Sequence, residues 1–363
     1  MRRFLCLMLM LLVTILCAAG CGIGQADKKD NPNTKSTTVA TQTQKPAHKT
    51  IVEEKDKENS KTNNTVKKPL NSAQPGHRSE MVTLMITRDF GKQVLFKKEV
   101  TIGSKSTVID VLKNNIAVTT GYGGSYVKSI KGLESHSAGI SGHRWDWFYY
   151  INGICADTGA GDYVLRPGEA VWWDYHEWSS TGFVNSAVIG SYPEPFTSGY
   201  RGKVAAAVIM SSRENAPTAA NLEKALKTRG VVSVSITGLS NDLLQKRPGP
   251  AILIGTWNEL KDLEYMDKLN SNYRKTGLGA HLTENSIELL DSSGSPSRTL
   301  NGSAGIITAI STGLGDANPL WVIAGTDQAG LQEAADILTS RPGNILGMYS
   351  AAVYAGEIIR LPL

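Results

Sequence analysis

Apolar and polar residues alternate with period two from Val82 to Thr87, which places Val82, Leu84 and Ile86 on one side of an extended chain. A second such stretch, Val94 to Val100, follows the turn pair Gly91-Lys92, and the spacing predicts a hairpin. Ser106-Thr107 then precedes Val108, Ile109, Val111 and Leu112, a helical spacing behind a capping residue. Beyond the glycine-rich loop 121–124, strands are expected at 126–132, 147–152 and 170–175. Turns separate them at Asn152-Gly153, a pair that accepts the positive φ of a tight hairpin, and at Arg166-Pro167-Gly168-Glu169.

After Trp178 the pattern changes. Residues 179–202 are rich in Ser, Gly and Pro and read as an interdomain linker. Further on, apolar runs at 204–209, 232–236, 251–254 and 320–324 alternate with helical spacing at 219–228, 260–273 and 330–338. That order predicts an α/β domain, residues 203–363, with a mostly parallel sheet covered on both faces, and 281–294 reads as a hairpin insertion in it. Two of its strands end in Gly255-Thr256 and in Gly325-Thr326-Asp327. Carboxyl ends of parallel strands are ligand positions, and Thr326 and Asp327 serve equally well as helix caps.

At the N-terminus, Met1-Arg2-Arg3 precedes an apolar run from Phe4 to Cys17 and the small residues Ala18-Ala19-Gly20 before Cys21. The run falls short of the ~20 residues a bilayer span needs, so residues 1–20 are expected to be an export signal. The small residues before Cys21 resemble the bacterial lipobox, although Ala18 stands where Leu is commoner. The resemblance implies that Cys21 is lipidated and becomes the new terminus; ordinary secretion with cleavage after Gly20 is the alternative. Residues 22–80 contain no Phe, Tyr or Trp and are mostly Lys, Thr, Asn, Gln, Ser and Pro, which predicts a disordered tether over 21–80. The expected location is the extracytoplasmic face of the cell membrane, held by the lipid anchor.

The formal net charge of +5 is carried by these leading segments. The tether holds eleven Lys and Arg against seven Asp and Glu, whereas residues 81–363 hold twenty-five against twenty-six. A folded part without basic excess argues against nucleic acid as a partner. Past Cys21 only Cys155 remains, which forbids an intramolecular disulfide and suits a buried small hydrophobe. No nucleophile elbow, Walker loop, zincin motif or dinucleotide fingerprint occurs, so an enzyme is not expected and no catalytic cofactor is implied. His136, His143 and His176 match no short metal spacing, and the cluster Asp174, His176, Glu177 is not made an acid–base pair by spacing alone.

Ten of the twenty-five aromatic residues lie within 145–178, more than a core of that size uses, so part of this stretch is expected to face a partner. Two strands, a helix and further strands form the element order of a β-grasp, the ubiquitin-like α+β fold, over residues 81–178. The run from Trp147 to Gly153, the segment Ala156 to Glu169 and Val171 to Tyr175 together resemble the C-terminal β-grasp domain of transcobalamin and intrinsic factor, a domain also found on exported bacterial proteins. The resemblance covers roughly 100 residues, and the helical barrel that completes the vitamin carriers is not visible here. It implies a cobalamin-like corrinoid, as ligand rather than as cofactor, against Trp147, Phe148, Thr158, Gly159, Ala160, Gly161, Asp162, Tyr163 and Trp173. Trp147 and Tyr149 would supply broad apolar walls, and the glycines would allow close backbone approach. Within a strand, alternate residues must also pack on the helix, so each aromatic is equally a core candidate. Two functions follow: a lipid-anchored binding protein that delivers a corrinoid or other flat ligand to a membrane transporter, or a cell-envelope module that binds a wall glycan or a protein. A pocket between the two domains favours the first and a flat aromatic patch the second.

Overall fold

The first alternating stretch forms β1 (Met81–Arg88), which pairs antiparallel with β2 (Gln93–Thr101). The computed structural model describes residues 80–137, 142–181 and 184–363, all within one compact unit, Ser72–Leu363. The expected signal peptide, Cys21 and the tether lie outside the described residues. Helix α1 (Val108–Asn115) follows, capped by Thr107, whose hydroxyl accepts from Asp110 N at 3.2 Å while Asp110 accepts from Thr107 N at 3.0 Å. A reciprocal pair of this kind satisfies two donors that a helix start leaves open. Strands β3 (Val118–Gly121), β4 (Tyr126–Ile130) and β5 (Leu133–Glu134) make a small antiparallel sheet. Strands β6 (His136–Ser137), β7 (Arg144–Ile151), β8 (Ile154–Cys155) and β9 (Ala170–Glu177) complete the first large sheet, in the order β2-β1-β9-β7-β6 with β8 on β7. Its centre is a parallel pair, β1 with β9, flanked by antiparallel neighbours. The β7–β8 turn is Asn152-Gly153, both at positive φ (54° and 78°), as that dipeptide requires.

Both faces of this sheet are buried, and side-chain alternation divides the aromatics between them. Val82, Leu84, Ile86, Trp147, Ile151, Val171 and Trp173 form one core with α1. Met85, Tyr150 and Trp172 face the other way, where they meet Val188 and Tyr349 from later in the chain. The partner that the aromatic excess called for is therefore, on this face, a segment of the same molecule.

The later half is built on β10 (Ala207–Ser211), α2 (Ala216–Thr228), β11 (Val234–Thr237), α3 (Asn241–Gln245), β12 (Ala251–Thr256), α4 (Trp257–Leu260) and α5 (Glu264–Ser271). A three-stranded antiparallel sheet then intervenes, β13 (Ala280–Leu282), β14 (Ser286–Leu290) and β15 (Pro296–Asn301). The chain closes with β16 (Ala304–Ile310), β17 (Leu320–Gly325), α6 (Gln328–Ser340), β18 (Ser350–Tyr354) and β19 (Glu357–Leu361). The seven-stranded order is β11-β10-β12-β17-β16-β18-β19. The mostly parallel sheet expected from the alternating pattern is corrected here. Strands β11, β10, β12 and β17 are parallel, but β16, β18 and β19 join antiparallel. The reason is local: β16 returns to β17 without a crossover helix, and β18 turns into β19 through Ala355-Gly356, both at positive φ. The described residues are thus mixed α+β with mixed sheets.

Segment 179–202, which composition marks as a linker, is packed along its second half. Ala187, Val188, Ile189, Phe196 and Tyr200 are buried, and Tyr192 and Phe196 lie with ring centroids 5.7 and 5.4 Å from Trp321. Its backbone ties to both halves, through Val188 N to Gly153 O (2.9 Å) and Ile189 N to Tyr349 O (3.2 Å). Ser, Gly and Pro here serve tight turns inside a packed path rather than solvation.

Helix α6 is capped by Asp327, which accepts from Gly330 N at 2.9 Å and from Ser303 Oγ at 2.5 Å. These bonds, Gly330's first, hold its carboxyl below the ordinary aspartate value. Because the folded-state pKa is depressed, the contribution is present above the unfolded value and is lost as pH falls through the folded one. Asp327→Ala is expected to cost about 0.5 to 1 kcal/mol at neutral pH. The gap between the wild type and the variant should narrow in urea titrations near about pH 3.

Candidate functional site

The residues singled out from sequence gather on the α1 side of the first sheet, and most are used up in packing. Trp147 is buried and donates Nε1–H to Leu133 O at 3.0 Å. Tyr149 stacks on Trp173 at 4.9 Å and donates its hydroxyl to Thr158 O. Trp173, Ala160 and Tyr163 are core residues, and the Tyr163 hydroxyl donates to Glu169 Oε1 at 3.0 Å. The loop 158–163 seats the start of α1: Ala160 O accepts from Ile109 N and Tyr163 O from Val108 N, each at 3.0 Å. Gly159 and Asp162 are exposed, Gly161 is half-buried, and Thr158, also half-buried, bonds Arg201. Thr158, Asp162 and Tyr163 border a shallow polar depression with Arg166 and Arg201. Phe148 alone of the set points to the opposite face, where it stacks on His176 at 4.5 Å. Thr326 and Asp327 act as a turn brace and a helix cap. Cys155 is buried, and burial pushes its thiol up to about 12, which leaves it unreactive near neutral pH.

A second constellation lies on that opposite face. On β9, Asp174 and His176 are two residues apart and so share a face, and both are buried. The Asp174 carboxylate accepts from Phe90 N (3.1 Å), Gly91 N (3.0 Å), the Thr87 hydroxyl and, from the later half of the chain, the Tyr349 hydroxyl (3.3 Å). His176 Nδ1 lies 2.8 Å from Asp174 Oδ2, a contact that places the ring proton on Nδ1 and leaves Nε2 an acceptor in the neutral ring. Phe90 and Phe148 cover the two faces of the imidazole, with centroids 4.2 and 4.5 Å away. Only the Nε2 edge remains, and no group among the described residues bonds it.

Phe90 reaches this position at a conformational cost. Asp89, Phe90 and Gly91 are all at positive φ (56°, 57° and 77°), and for a bulky residue such as Phe90 that region is sparsely populated. The two amides bonded to Asp174 hold the turn in place. A strained residue that is over-determined by its surroundings and set against a histidine is a feature of functional sites.

The free edge of His176 lines a narrow slot between the end of β9 and the β14–β15 turn, bordered by Phe90, Glu177, Trp178, Tyr273 and Asp291. Its free space is about 40 Å³, room for about three water molecules. The slot shares Phe90, Glu177 and Ser292 with a wider groove of about 640 Å³ that runs past Lys92, His143 and Trp145. Chemically, the arrangement offers one oriented imidazole acceptor, aromatic walls and two carboxylates. Among the described residues no three His, Cys, Asp or Glu side chains converge as a metal site. His136 is exposed on β6, and exposed His143 sits 3.6 Å from Glu177. The Asp174-His176 pair was open to detection from the i, i+2 spacing on a strand, but Phe90 and Tyr349 were not, since only folding brings them there.

Residues 105–177, from the start of α1 through β9, match a family model described as a domain of unknown function, DUF4430. A crystal structure of a "putative metal binding protein" from Ruminococcus gnavus ATCC 29149 is 17% identical, with 27% of this chain and 98% of that one covered at a TM-score of 0.23. No curated protein matches the chain. The DUF4430 match contains Asp174 and His176 and ends at Glu177, on the border of the slot.

Proposed function

We propose that this chain is a lipid-anchored extracytoplasmic binding protein. A small ligand, or one end of a larger one, enters the slot at His176, and the Cys21 anchor with its tether keeps the site at the outer membrane surface. The observation that carries this reading is His176 itself, whose side chain is 2% exposed, held by Asp174 and, among the described residues, without a partner for Nε2. An oriented acceptor left open at the wall of a cavity suits a ligand donor. The parallel centre of the first sheet, crossed by α1, supports the β-grasp reading of residues 81–178 and its likeness to the transcobalamin domain. A corrinoid is therefore the first larger ligand to try. It would lie in the outer groove with a side group in the slot, since the aromatics of the α1 side are packed. Delivery to a membrane transporter would follow capture.

Titration of the detergent-solubilised full chain with cobalamin and cobinamide, followed by Trp fluorescence and corrin absorption, tests this reading. Saturable binding that weakens about tenfold in Trp178→Ala and is unchanged in Tyr126→Ala is the expected result. Binding that ignores Trp178→Ala but is lost with Tyr126→Ala would favour the envelope-interaction reading. That second reading rests on Tyr122 (86% exposed) and Tyr126 (42%), a T-shaped pair 5.8 Å apart on the small sheet and a platform suited to a glycan.

A further inference from the structure

We propose that the slot recognises the protonated amino group of a small organic cation, an inference that rests on the slot being the ligand site. Three acceptors border it. His176 Nε2 is the first. The second is Glu177, whose Oε1 accepts from Ser179 N and Oγ and from Ser180 N, while its other oxygen has no partner among the described residues. The third is Asp291, whose Oδ1 accepts from Ser293 N, Ser293 Oγ and Ser295 N, and whose Oδ2 likewise has no partner among the described residues. In each case one oxygen locks the side chain in place and the other is left over.

Charge and size agree. Burial raises both carboxyl groups, yet the serine hydrogen bonds outweigh it and hold both below their ordinary values, so both are anionic at neutral pH. Among the described residues neither carboxylate is paired with Lys or Arg; His143 Nδ1 lies 3.6 Å from Glu177 Oε1. Arg274 also borders the slot, but its guanidinium lies over the Tyr273 ring at 5.6 Å, with Nε donating to Tyr273 Oη. Phe90, Trp178 and Tyr273 also line the slot, but the Arg144 guanidinium already lies over the Trp178 ring at 5.3 Å, so the attraction for a cation rests on the two carboxylates. The free space of about 40 Å³ suits an ammonium head, and an anion would meet two carboxylates. The rest of the ligand would extend along the groove past Trp145.

The experiment compares three probes of one shape, benzylammonium, benzyl alcohol and benzoate, on the full chain labelled with ¹⁵N-histidine. The His176 Nε2 resonance, assigned from its disappearance in His176→Gln, is the readout. Benzylammonium should move that resonance saturably and bind about tenfold more tightly than benzyl alcohol, with benzoate weakest. The double variant Glu177→Gln, Asp291→Asn keeps the serine bonds and should bring the amine down to the level of the alcohol. Equal binding of amine and alcohol, or tighter benzoate, overturns the cation proposal and leaves the slot as a ligand site. If none of the three moves the His176 resonance, both the proposal and the reading beneath it fail.

Discussion

Replacing Asp174 by Ala lowers the stability of the protein by about 3 to 5 kcal/mol, because it strands the Phe90 and Gly91 amides and leaves only long contacts for the Thr87 hydroxyl (Trp173 O, 3.3 Å) and between the Tyr349 hydroxyl and His176 Nδ1 (3.4 Å). The loss is more than local. The β1–β2 turn carries Asp89, Phe90 and Gly91 at positive φ, and without the carboxylate nothing else among the described hydrogen bonds holds the Phe90 and Gly91 amides in that turn. Phe90 would then leave the face of His176, and the slot would lose one wall. Asp174→Asn, which keeps the shape and one acceptor oxygen, should lose less. Urea unfolding checks both: a lower midpoint at unchanged slope for Ala, with Asn between Ala and the wild type. An Ala variant within 0.5 kcal/mol of the wild type would show that water replaces the carboxylate at no cost and that the network does not hold the site together.

Tyr349→Ala is expected to cost about 3 to 5 kcal/mol, and Tyr349→Phe only about 1. Tyr349 is buried and brings a ring from the end of the chain against Phe90, Tyr150, Trp172 and His176, at 5.2 to 5.6 Å between centroids. It is the largest side chain of the later half in the apolar cluster that joins that half to the first sheet. Removing the ring opens a cavity at that junction, whereas removing the hydroxyl alone costs two long contacts, to Asp174 Oδ2 (3.3 Å) and His176 Nδ1 (3.4 Å). Five of the seven tryptophans lie within residues 145–178. In Tyr349→Ala, tryptophan fluorescence should therefore report loss of the first sheet at lower urea than far-UV circular dichroism reports loss of the whole. A single coincident transition at the wild-type midpoint would contradict the role assigned to this ring.

Local pattern carried much of the fold. Period-two spacing marks β1 and β2, Thr107 marks the start of α1, and Asn152-Gly153 marks the β7–β8 turn, because each depends on residues adjacent in the chain. What depends on distant partners was not legible. The aromatics 145–178 read as an excess because Tyr349 and Val188, which cover Tyr150 and Trp172, lie far along the chain. Residues 179–202 read as a linker because Ser, Gly and Pro have the same local meaning in a solvated tether and in a packed turn. The antiparallel entry of β16 was hidden because an apolar run such as Ala304–Ile310, buried throughout, has no alternation that states its direction. For the site, the glycine-rich and aromatic motif drew attention to Trp147, Tyr163 and Trp173, which the fold spends on the α1 core. His176 needed Phe90, set by an unusual backbone conformation some eighty residues earlier, before it could be read as more than one histidine on a strand.

The central claim, that ligand enters at the free edge of His176, is tested most directly by a crystal of the folded chain soaked with a mixture of benzylammonium and small neutral aromatic alcohols. The account predicts a bound molecule in the slot among Phe90, Glu177 and Trp178, with a donor atom within hydrogen-bond distance of His176 Nε2. Density confined to the Tyr122 and Tyr126 surface, with the slot holding only water, would contradict it.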